Sequence, residues 1–265
     1  MRAALAAVAL ALSCSLGASA AAALPAAAAL PAVAAPPAAL TAARKQVESA
    51  DYRMTGRLVR VDANGKRTSD NIRIEAHWFP GMLRVLLEVT SPAQDREHVL
   101  LEMRPNGRST IKIAHPGDKA PRELTFSKWA DGPLGNRFSY EDFLEAQYFW
   151  PDQRDLGTAA VSGQPCDQLL STPRPIDQTH FESVKSCLNP RTGFPLTVEK
   201  KVKGTGTLKE FTYFGVRQTR GVWWAHQIEA RIRGRAGSTL LIVERGTPEA
   251  HLGLHDFDSE RLTRF

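Results

Sequence analysis

Beyond its first twenty residues, the sequence has no long run of strongly hydrophobic side chains such as leucine, isoleucine, valine and phenylalanine. Arg2 precedes an apolar run over residues 3–12, and residues 18–20 (Ala-Ser-Ala) have the small side chains of a secretory cleavage site. The apolar run is about half of the roughly 20 residues that span a bilayer, so a transmembrane anchor is not expected. We therefore predict an export signal over residues 1–20. The alternative is a lipid anchor at Cys14, which ends the string Ala-Leu-Ser-Cys.

Cysteine is scarce. The chain has three cysteines, of which Cys14 lies within the predicted signal, and it has no Cys-x-x-Cys pair. Redox or metal chemistry through thiols therefore lacks its usual motif. Cys166 and Cys187 remain as an even pair on two predicted strands of an exported chain, and we expect them to form one disulfide.

Motifs of catalysis and of metal binding are also missing. The seven histidines are scattered, and the only metal-like spacing, His251 with His255, has no neighbouring glutamate and includes Gly253. There is no Gly-x-Ser-x-Gly, and residues 204–206 (Gly-Thr-Gly) fit a hairpin turn better than a phosphate loop. We expect a protein that is not an enzyme, with no catalytic residue, no cofactor and no metal ion.

Charge of one sign is not segregated along the chain. The net charge is +6 and the isoelectric point about 9.4, but acidic residues lie between the basic ones, as around Arg53, Arg57 and Arg60. This pattern predicts the polar outer face of a sheet. We expect no nucleic-acid binding, because the chain is exported and lacks the exposed basic and aromatic strand face of such proteins. A weak attraction to anionic lipid head groups is the more useful interpretation.

The composition divides the chain into three parts. Residues 21–39 contain little besides alanine and proline, which predicts a disordered or semi-rigid spacer outside the fold. Residues 40–50 are good helix formers with their apolar side chains on one side, which predicts a helix lying against a sheet. The folded part, residues 40–265, has no internal linker and is long enough for one sizeable core, so we predict a single domain.

Strand patterns dominate this domain. Leu83, Val85, Leu87 and Val89 alternate with other residues, and turn pairs such as the Asn-Gly at residues 64–65 separate successive strands. The patterns predict about a dozen antiparallel strands, and a strongly twisted sheet of that size tends to curl into a half-open barrel. A β-sandwich with the same strands is the alternative.

One short helix is predicted among these strands, within residues 135–151 (G-N-R-F-S-Y-E-D-F-L-E-A-Q-Y-F-W-P). Ser139 is a good N-cap, and the side chain of Asp142 can reach back to its backbone N–H as in a capping box. Phe138 and Phe143 occupy the positions of a hydrophobic staple. An aromatic helix among strands must pack against the sheet, either as a fixed plug or as a mobile lid.

The string G-N-R-F-S-Y-E-D-F at residues 135–143 resembles the motif of the outer-membrane lipoprotein-sorting protein family, the relatives of LolA and LolB. The resemblance extends over roughly residues 50–265. Ala225 stands where relatives usually have proline after the tryptophan, and many relatives lack a second cysteine such as Cys187. The C-terminal third follows the strand order of the family in a cysteine-containing strand (161–170), T-G-F-P-L-T-V-E (192–199), L-K-E-F-T-Y-F (208–214) and G-V-W-W-A-H-Q-I (221–228).

The resemblance implies a mainly β fold, in which a single antiparallel sheet curls into an incomplete (half) β-barrel and helices cover its concave face. It also implies a periplasmic carrier that binds acyl chains of a lipoprotein or lipid during sorting to the outer membrane. An inner-membrane transporter is the implied partner, and we expect a monomer. The alternatives are an RseB-like periplasmic sensor module and a LolB-like lipoprotein anchored in the outer membrane.

We expect the short helix to be a lid over the acyl-chain site. Its apolar side chains cannot all face one way on so short a helix, so some must meet the sheet or a ligand. The candidate lipid-binding residues are Phe138, Tyr140, Phe143, Leu144, Tyr148 and Phe149.

Overall fold

The computed structural model describes residues 37–105, 108–133 and 137–265. The predicted signal (1–20), the predicted spacer up to residue 36 and the first two residues of the motif (135–136) lie outside the described residues. The described residues belong to one compact unit. The last residues of the predicted spacer are part of a helix that begins at Ala38.

The described residues contain two α-helices and thirteen strands. The helices are α1 (Ala38–Glu48) and α2 (Ser259–Thr263), and neither is long and apolar enough to span a bilayer. The strands are β1 (Asp51–Val61), β2 (Arg67–Phe79), β3 (Met82–Ser91), β4 (Glu97–Met103), β5 (Thr110–Ala114), β6 (Arg122–Glu123), β7 (Asp152–Val161), β8 (Gln164–Thr172), β9 (Phe181–Leu188), β10 (Pro195–Val202), β11 (Leu208–Thr219), β12 (Val222–Ile232) and β13 (Ser238–Pro248). The short strand β6 is one that the sequence patterns did not predict.

All thirteen strands form a single antiparallel sheet, in the order β6-β5-β4-β3-β2-β1-β13-β12-β11-β10-β9-β8-β7. The first and last strands pair in its centre, while β6 and β7 are the two outer edges, so the sheet is not closed. The predicted single antiparallel sheet is confirmed, and the two sheets of a sandwich are not found among the described residues.

The central seam between β1 and β13 depends on Gly56. A Cβ atom at this position would lie 2.0 Å from the carbonyl oxygen of Ile242, at the point where the strand register shifts between Thr55 and Gly56. No side chain fits there, so glycine is required for the two strands to pair this closely. A second close approach lies at Gly193, which has φ +68° and precedes β10. A Cβ atom at Gly193 would lie 2.3 Å from the backbone nitrogen of Ala43, so the loop before β10 packs directly against α1.

One face of the sheet, here called the inner face, carries the main core. Leu83, Val85, Leu87 and Val89 are all buried on it, which confirms the alternation seen in the sequence. Helix α1 packs on the same face through the side of the helix that the sequence marks as apolar. Its buried residues are Ala39, Leu40, Ala43 and Val47.

The opposite, outer face is less polar than the sequence analysis expects. Leu86, Leu100 and Ala114 point away from the inner core, and the C-terminal segment covers them with Phe257 and Leu262. These three strand residues interrupt an otherwise polar pattern. They are buried because the C-terminal segment, roughly 160 residues later in the chain, packs on them. The outer face therefore has a second small core.

The predicted short helix is not a continuous α-helix. Residues Tyr140–Leu144 and Ala146–Phe149 are two 3-10 turns, separated by Glu145 in the left-handed region at φ +48°. The capping bond is as predicted, since the Ser139 N–H donates to the Asp142 carboxylate at 2.7 Å, and the rings of Phe138 and Phe143 stack with their centroids 5.7 Å apart. The left-handed backbone of Glu145 ends the first turn and redirects the chain into the second.

The disulfide between Cys166 and Cys187 is formed, as predicted. It joins β8 to β9, with a Cα–Cα distance of 5.4 Å. Both cysteines are buried beside Leu196 in a small apolar cluster that is separate from the main core. The bond therefore links β8 to β9 from within a packed site, beside Leu196 of β10.

Candidate functional site

An apolar cavity with a volume of about 190 Å³ lies between α1, the inner face of the sheet and residues 138–149, here called the aromatic segment. A water-sized group needs about 10–15 Å³ of such space, so the cavity takes roughly 13 to 19 of them in contact. The apolar walls include Val47, Met54, Ile74, Leu83, Val85, Ile228, Leu241 and Val243. A chain of methylene groups matches this lining better than a polar solute does.

The aromatic segment contributes three of its six candidate residues to the cavity: Phe138, Phe143 and Tyr148. Phe143 and Tyr148 are five positions apart, which places them roughly 140° apart on an α-helix, and the left-handed Glu145 brings both to the same cavity. The break in the predicted helix therefore allows both Phe143 and Tyr148 to line the cavity wall.

The other three candidates hold the segment in place. The Tyr140 hydroxyl donates to the buried carboxylate of Glu97 at 3.3 Å, and Phe149 stacks on Trp78 with the ring centroids 5.6 Å apart. Leu144 is buried in the main core. These three side chains contact protein and do not line the cavity.

A buried ion cluster ties the aromatic segment to the sheet. Lys200 of β10 donates to one oxygen of Asp142 at 3.0 Å, and Lys209 of β11 bonds to the other oxygen and to the Ser139 hydroxyl. The three charged side chains are at most one-tenth exposed. Burial alone would raise the pKa of Asp142, but the two ammonium groups outweigh it and hold that pKa well below its usual range.

Glu145 places a second carboxyl group at the cavity. Its side chain is half-buried because one side borders the cavity, and protein surrounds the other sides. Burial raises the pKa of this carboxyl, and the positive charge of Lys200 opposes the rise only in part. Among the described residues, no hydrogen bond to the Glu145 side chain is found.

Three tyrosines converge on Glu145 from different elements. Tyr52 of β1, Tyr148 of the second 3-10 turn and Tyr213 of β11 all line the cavity. Burial raises the pKa of each hydroxyl, and the negative charge of Glu145 raises it further. With Lys200, these side chains form a polar patch in an otherwise apolar cavity.

Trp223 and Trp224 of β12 also line the cavity, and both are half-buried. The indole N–H of Trp224 donates to the Thr219 hydroxyl at 3.0 Å, and the Arg217 guanidinium lies 4.9 Å from the centre of its ring. This end of the cavity is thus aromatic, and Arg217 packs on Trp224 without lining the cavity.

The sequence analysis missed the charged members of the site. Lys200 and Lys209 resemble solvated lysines of polar strand faces, but strand parity was an available signal. Lys200 shares its face with Val198, and Lys209 shares its face with Phe211 and Tyr213. A lysine in phase with an apolar stripe points to the core and needs a buried partner.

No group of three or more potential metal ligands is found among the described residues. His251 and His255 lie on either side of Gly253, and the side chain of His255 is 82% exposed. Both residues are exposed at the surface.

Comparison with known proteins places the chain among others of this fold. A family model whose description is "uncharacterized protein" matches residues 81–264. No curated protein matches the sequence. Among solved structures, a protein from Vibrio parahaemolyticus described as an outer membrane lipoprotein-sorting protein domain has a TM-score of 0.76 and 19% identity, over 85% of this chain and 98% of that one.

Two further structures agree. A DUF1329 family protein from Desulfovibrio piger has a TM-score of 0.75 at 16% identity, over 85% of this chain and 98% of its own. A LolA superfamily protein from Nitrosomonas europaea has a TM-score of 0.61 at 15% identity, over 84% of this chain and 99% of its own. At these identities the likeness establishes the fold.

Proposed function

The chain belongs to the family whose model matches residues 81–264 and has the fold of outer-membrane lipoprotein-sorting and LolA-superfamily proteins, and from this premise we propose that it is a carrier of acyl chains. The cavity between α1, the aromatic segment and the inner face of the sheet is the observation that carries the proposal. In this proposal the sheet is an incomplete barrel, and α1 and the aromatic segment cover its concave face.

The energetics favour an apolar chain as the cargo. Each methylene group moved from water into an apolar site contributes about 0.8 kcal/mol. The walls are aliphatic and aromatic side chains, which gain contacts when the space is filled. Lipoprotein acyl chains or other lipid chains are therefore the proposed cargo, and an inner-membrane transporter and the outer membrane are the proposed source and destination. The proposed place of action is the periplasm, which follows from the predicted signal over residues 1–20.

We propose that the aromatic segment is the lid. It is built of two short turns rather than one helix. Besides the packing of Leu144 and Phe149, it is attached by discrete polar contacts, among them the ion cluster at Asp142, the Tyr140–Glu97 bond and a bond of 2.7 Å from the Arg44 side chain to the Tyr148 carbonyl. A segment held by separate contacts can shift while the sheet stays intact. Phe138, Phe143 and Tyr148 would then exchange contacts with each other for contacts with cargo.

Binding of a fluorescent fatty acid tests the proposal. We expect saturable binding by the wild-type protein and its loss in Phe143→Glu, because that change puts a carboxylate into the apolar wall. Ile176→Glu is the matched control, since Ile176 is 76% exposed and does not line the cavity. The melting temperature of each variant is measured in parallel.

The outcomes are distinct. Lost binding with a preserved melting temperature supports the lid. Global unfolding of Phe143→Glu would identify the segment as a fixed plug, and unchanged binding by a folded variant would remove it from the site. Transfer of the bound fatty acid to acceptor vesicles, faster than its spontaneous release, distinguishes a carrier from a sensor.

A further inference from the structure

We propose that the cargo is an amphiphile with a single anionic headgroup, a phosphate or a carboxylate, and that this headgroup binds at the polar patch beside Lys200. The inference rests on the proposed function and specifies its cargo. The polar patch comprises Lys200, Glu145, Tyr52, Tyr148 and Tyr213, all of which line the apolar cavity.

Lys200 has hydrogen-bonding capacity to spare. Its ammonium group carries three N–H donors, and one of them is used by Asp142 at 3.0 Å. Around the rest of the group are the rings of Phe181 and Phe211, each centred 5.0 Å away. Two donors of a 5%-exposed ammonium thus face aromatic rings and have no hydrogen-bond acceptor among the described residues.

The tyrosine hydroxyls, like the Lys200 ammonium, have hydrogen-bond donors without an acceptor in the described ranges. The buried Tyr148 hydroxyl lies near Ser186 and Gln147 yet makes no hydrogen bond of normal geometry. In the part of the chain that the structure describes, no hydrogen bond is found for the hydroxyls of Tyr52 and Tyr213 either. An oxyanion accepts several hydrogen bonds at once, and bonds to a charged acceptor are the stronger kind. The patch therefore offers more donors than the protein itself uses.

The charge balance gives Glu145 a defined role. Lys200 and Lys209 carry two positive charges and Asp142 one negative charge, so the ion cluster has an excess of one positive charge. At a pH above its raised pKa, Glu145 is ionised in the empty cavity and balances this excess. A bound anion takes over that balance and repels the Glu145 carboxylate, so we infer that Glu145 takes up a proton when the anion enters.

The proton uptake fixes the direction of the pH dependence. Affinity for an anionic head rises as the pH falls through the range in which Glu145 is ionised when free and protonated when the site is filled, by at most tenfold per pH unit for one proton. The charged and titratable groups that face Glu145 or pack around it are Lys200 and Lys209, Asp142, Arg44 of α1, and the hydroxyls of Tyr52, Tyr148 and Tyr213.

The test compares headgroups on one chain length. Myristoyl lysophosphatidylglycerol carries a phosphodiester whose charge does not change between about pH 5 and 8, while monomyristoylglycerol is neutral and tetradecyltrimethylammonium is cationic. Calorimetry below the micellar concentration gives each affinity, and titration in two buffers of different ionisation enthalpy gives the protons taken up. We expect lysophosphatidylglycerol to bind at least tenfold more tightly than monomyristoylglycerol, with net proton uptake. Myristate distinguishes a carboxylate-binding site from one that needs a phosphate.

Two variants have closely matched controls. In Glu145→Gln we expect tighter binding of lysophosphatidylglycerol near pH 7.5 and no proton uptake, whereas Glu249→Gln makes the same change at an exposed residue with φ +52°. In Lys200→Gln we expect the affinity ratio of anionic to neutral probe to fall roughly tenfold or more, since hydrogen bonds to charged groups are the strong ones. Lys201→Gln alters the next residue, whose side chain pairs with Glu182 on the outer face. If Lys200→Gln does not fold, Tyr213→Phe is expected to lower the same ratio about two- to tenfold.

The possible results separate this inference from the proposed function. If the neutral probe binds as tightly as the anionic one, or if the cationic probe binds best and loses affinity in Glu145→Gln, the anion site is refuted while the acyl-chain carrier stands. If none of the probes binds to the folded wild-type protein, the carrier itself is refuted. Binding of lysophosphatidylglycerol without proton uptake overturns the role of Glu145.

Discussion

Replacing Asp142 by asparagine should destabilise the protein severely. The change keeps the size of the side chain but removes the negative charge that lies between Lys200 and Lys209. Two ammonium groups, one 5% and the other 10% exposed, are then buried without a carboxylate. Breaking a buried ion pair from one side costs about 3–5 kcal/mol, mainly because the remaining charge is uncompensated.

The assay is urea unfolding at pH 7, monitored through tryptophan fluorescence. With a urea dependence of about 3 kcal/mol per molar, at the upper end of the usual range, the expected loss lowers the unfolding midpoint by about 1–2 M. The matched control is Glu182→Gln, which breaks the ion pair with Lys201 at 2.7 Å. Both partners of that pair are roughly half-exposed, so its loss should cost less than about 1 kcal/mol.

The pH dependence gives a second check on the same variant. The pKa of Asp142 is depressed in the folded protein, so its contribution to stability is present above its ordinary pKa and is lost as the pH falls toward the depressed value. The stability difference between wild type and Asp142→Asn should therefore be constant from pH 5 to 8 and shrink in strong acid.

A triple variant, Asp142→Leu with Lys200→Met and Lys209→Met, isolates the cause. Removing all three charges leaves no unpaired ion, and such replacements are often neutral or stabilising. The reasoning is refuted if Asp142→Asn lies within about 1 kcal/mol of wild type, or if the triple variant is no more stable than the single one.

Three further predictions concern other parts of the chain. Mass mapping of the non-reduced protein should link Cys166 to Cys187, and replacing both by alanine should cost about 3 kcal/mol for a loop of this length; two thiols that alkylate without reductant would contradict the bond. Burial raises the pKa of Glu97 to about 7, so its contribution to stability falls as the pH rises from about 4.5 to 7. Glu97→Gln should therefore be more stable than wild type by about 2–3 kcal/mol at pH 8 and lose that advantage near pH 4.5, as urea unfolding would measure. Intact-mass analysis of the exported protein should give Ala21 as its first residue, whereas an acylated Cys14 would support the lipid-anchored alternative.

The strands could be predicted from the sequence because each one carries its own local pattern. Leu83, Val85, Leu87 and Val89 occupy every second position, and this spacing predicts that they are buried on one face. Strand order is different, because the pairing of β1 with β13 joins residues that are nearly two hundred positions apart and leaves no local signal. The resemblance to a known family, rather than the pattern, favoured a single curled sheet over a sandwich.

The site was predicted in part. Ser139, Asp142 and the Phe138–Phe143 stack follow from capping rules, which depend only on neighbours in sequence. The break at Glu145 does not, since glutamate favours helices and only tertiary contacts explain its positive φ. The lysines that bind Asp142 come from two strands some sixty residues further along the chain, so no local pattern pairs them with it.

The central seam also determines when the molecule becomes functional during its synthesis. Strand β13 pairs with β1 over ten residues and supplies Leu241 and Val243 to the cavity wall. A nascent chain that ends before residue 238 lacks that wall, and its two halves have no central strand pairing to join them. Contacts between such distant residues form late, because the long loop between them must be closed first. If the protein is the proposed carrier, cargo binding is therefore a property of the finished chain, and a truncated product exposes the inner face of its half-sheet and retains no ligand.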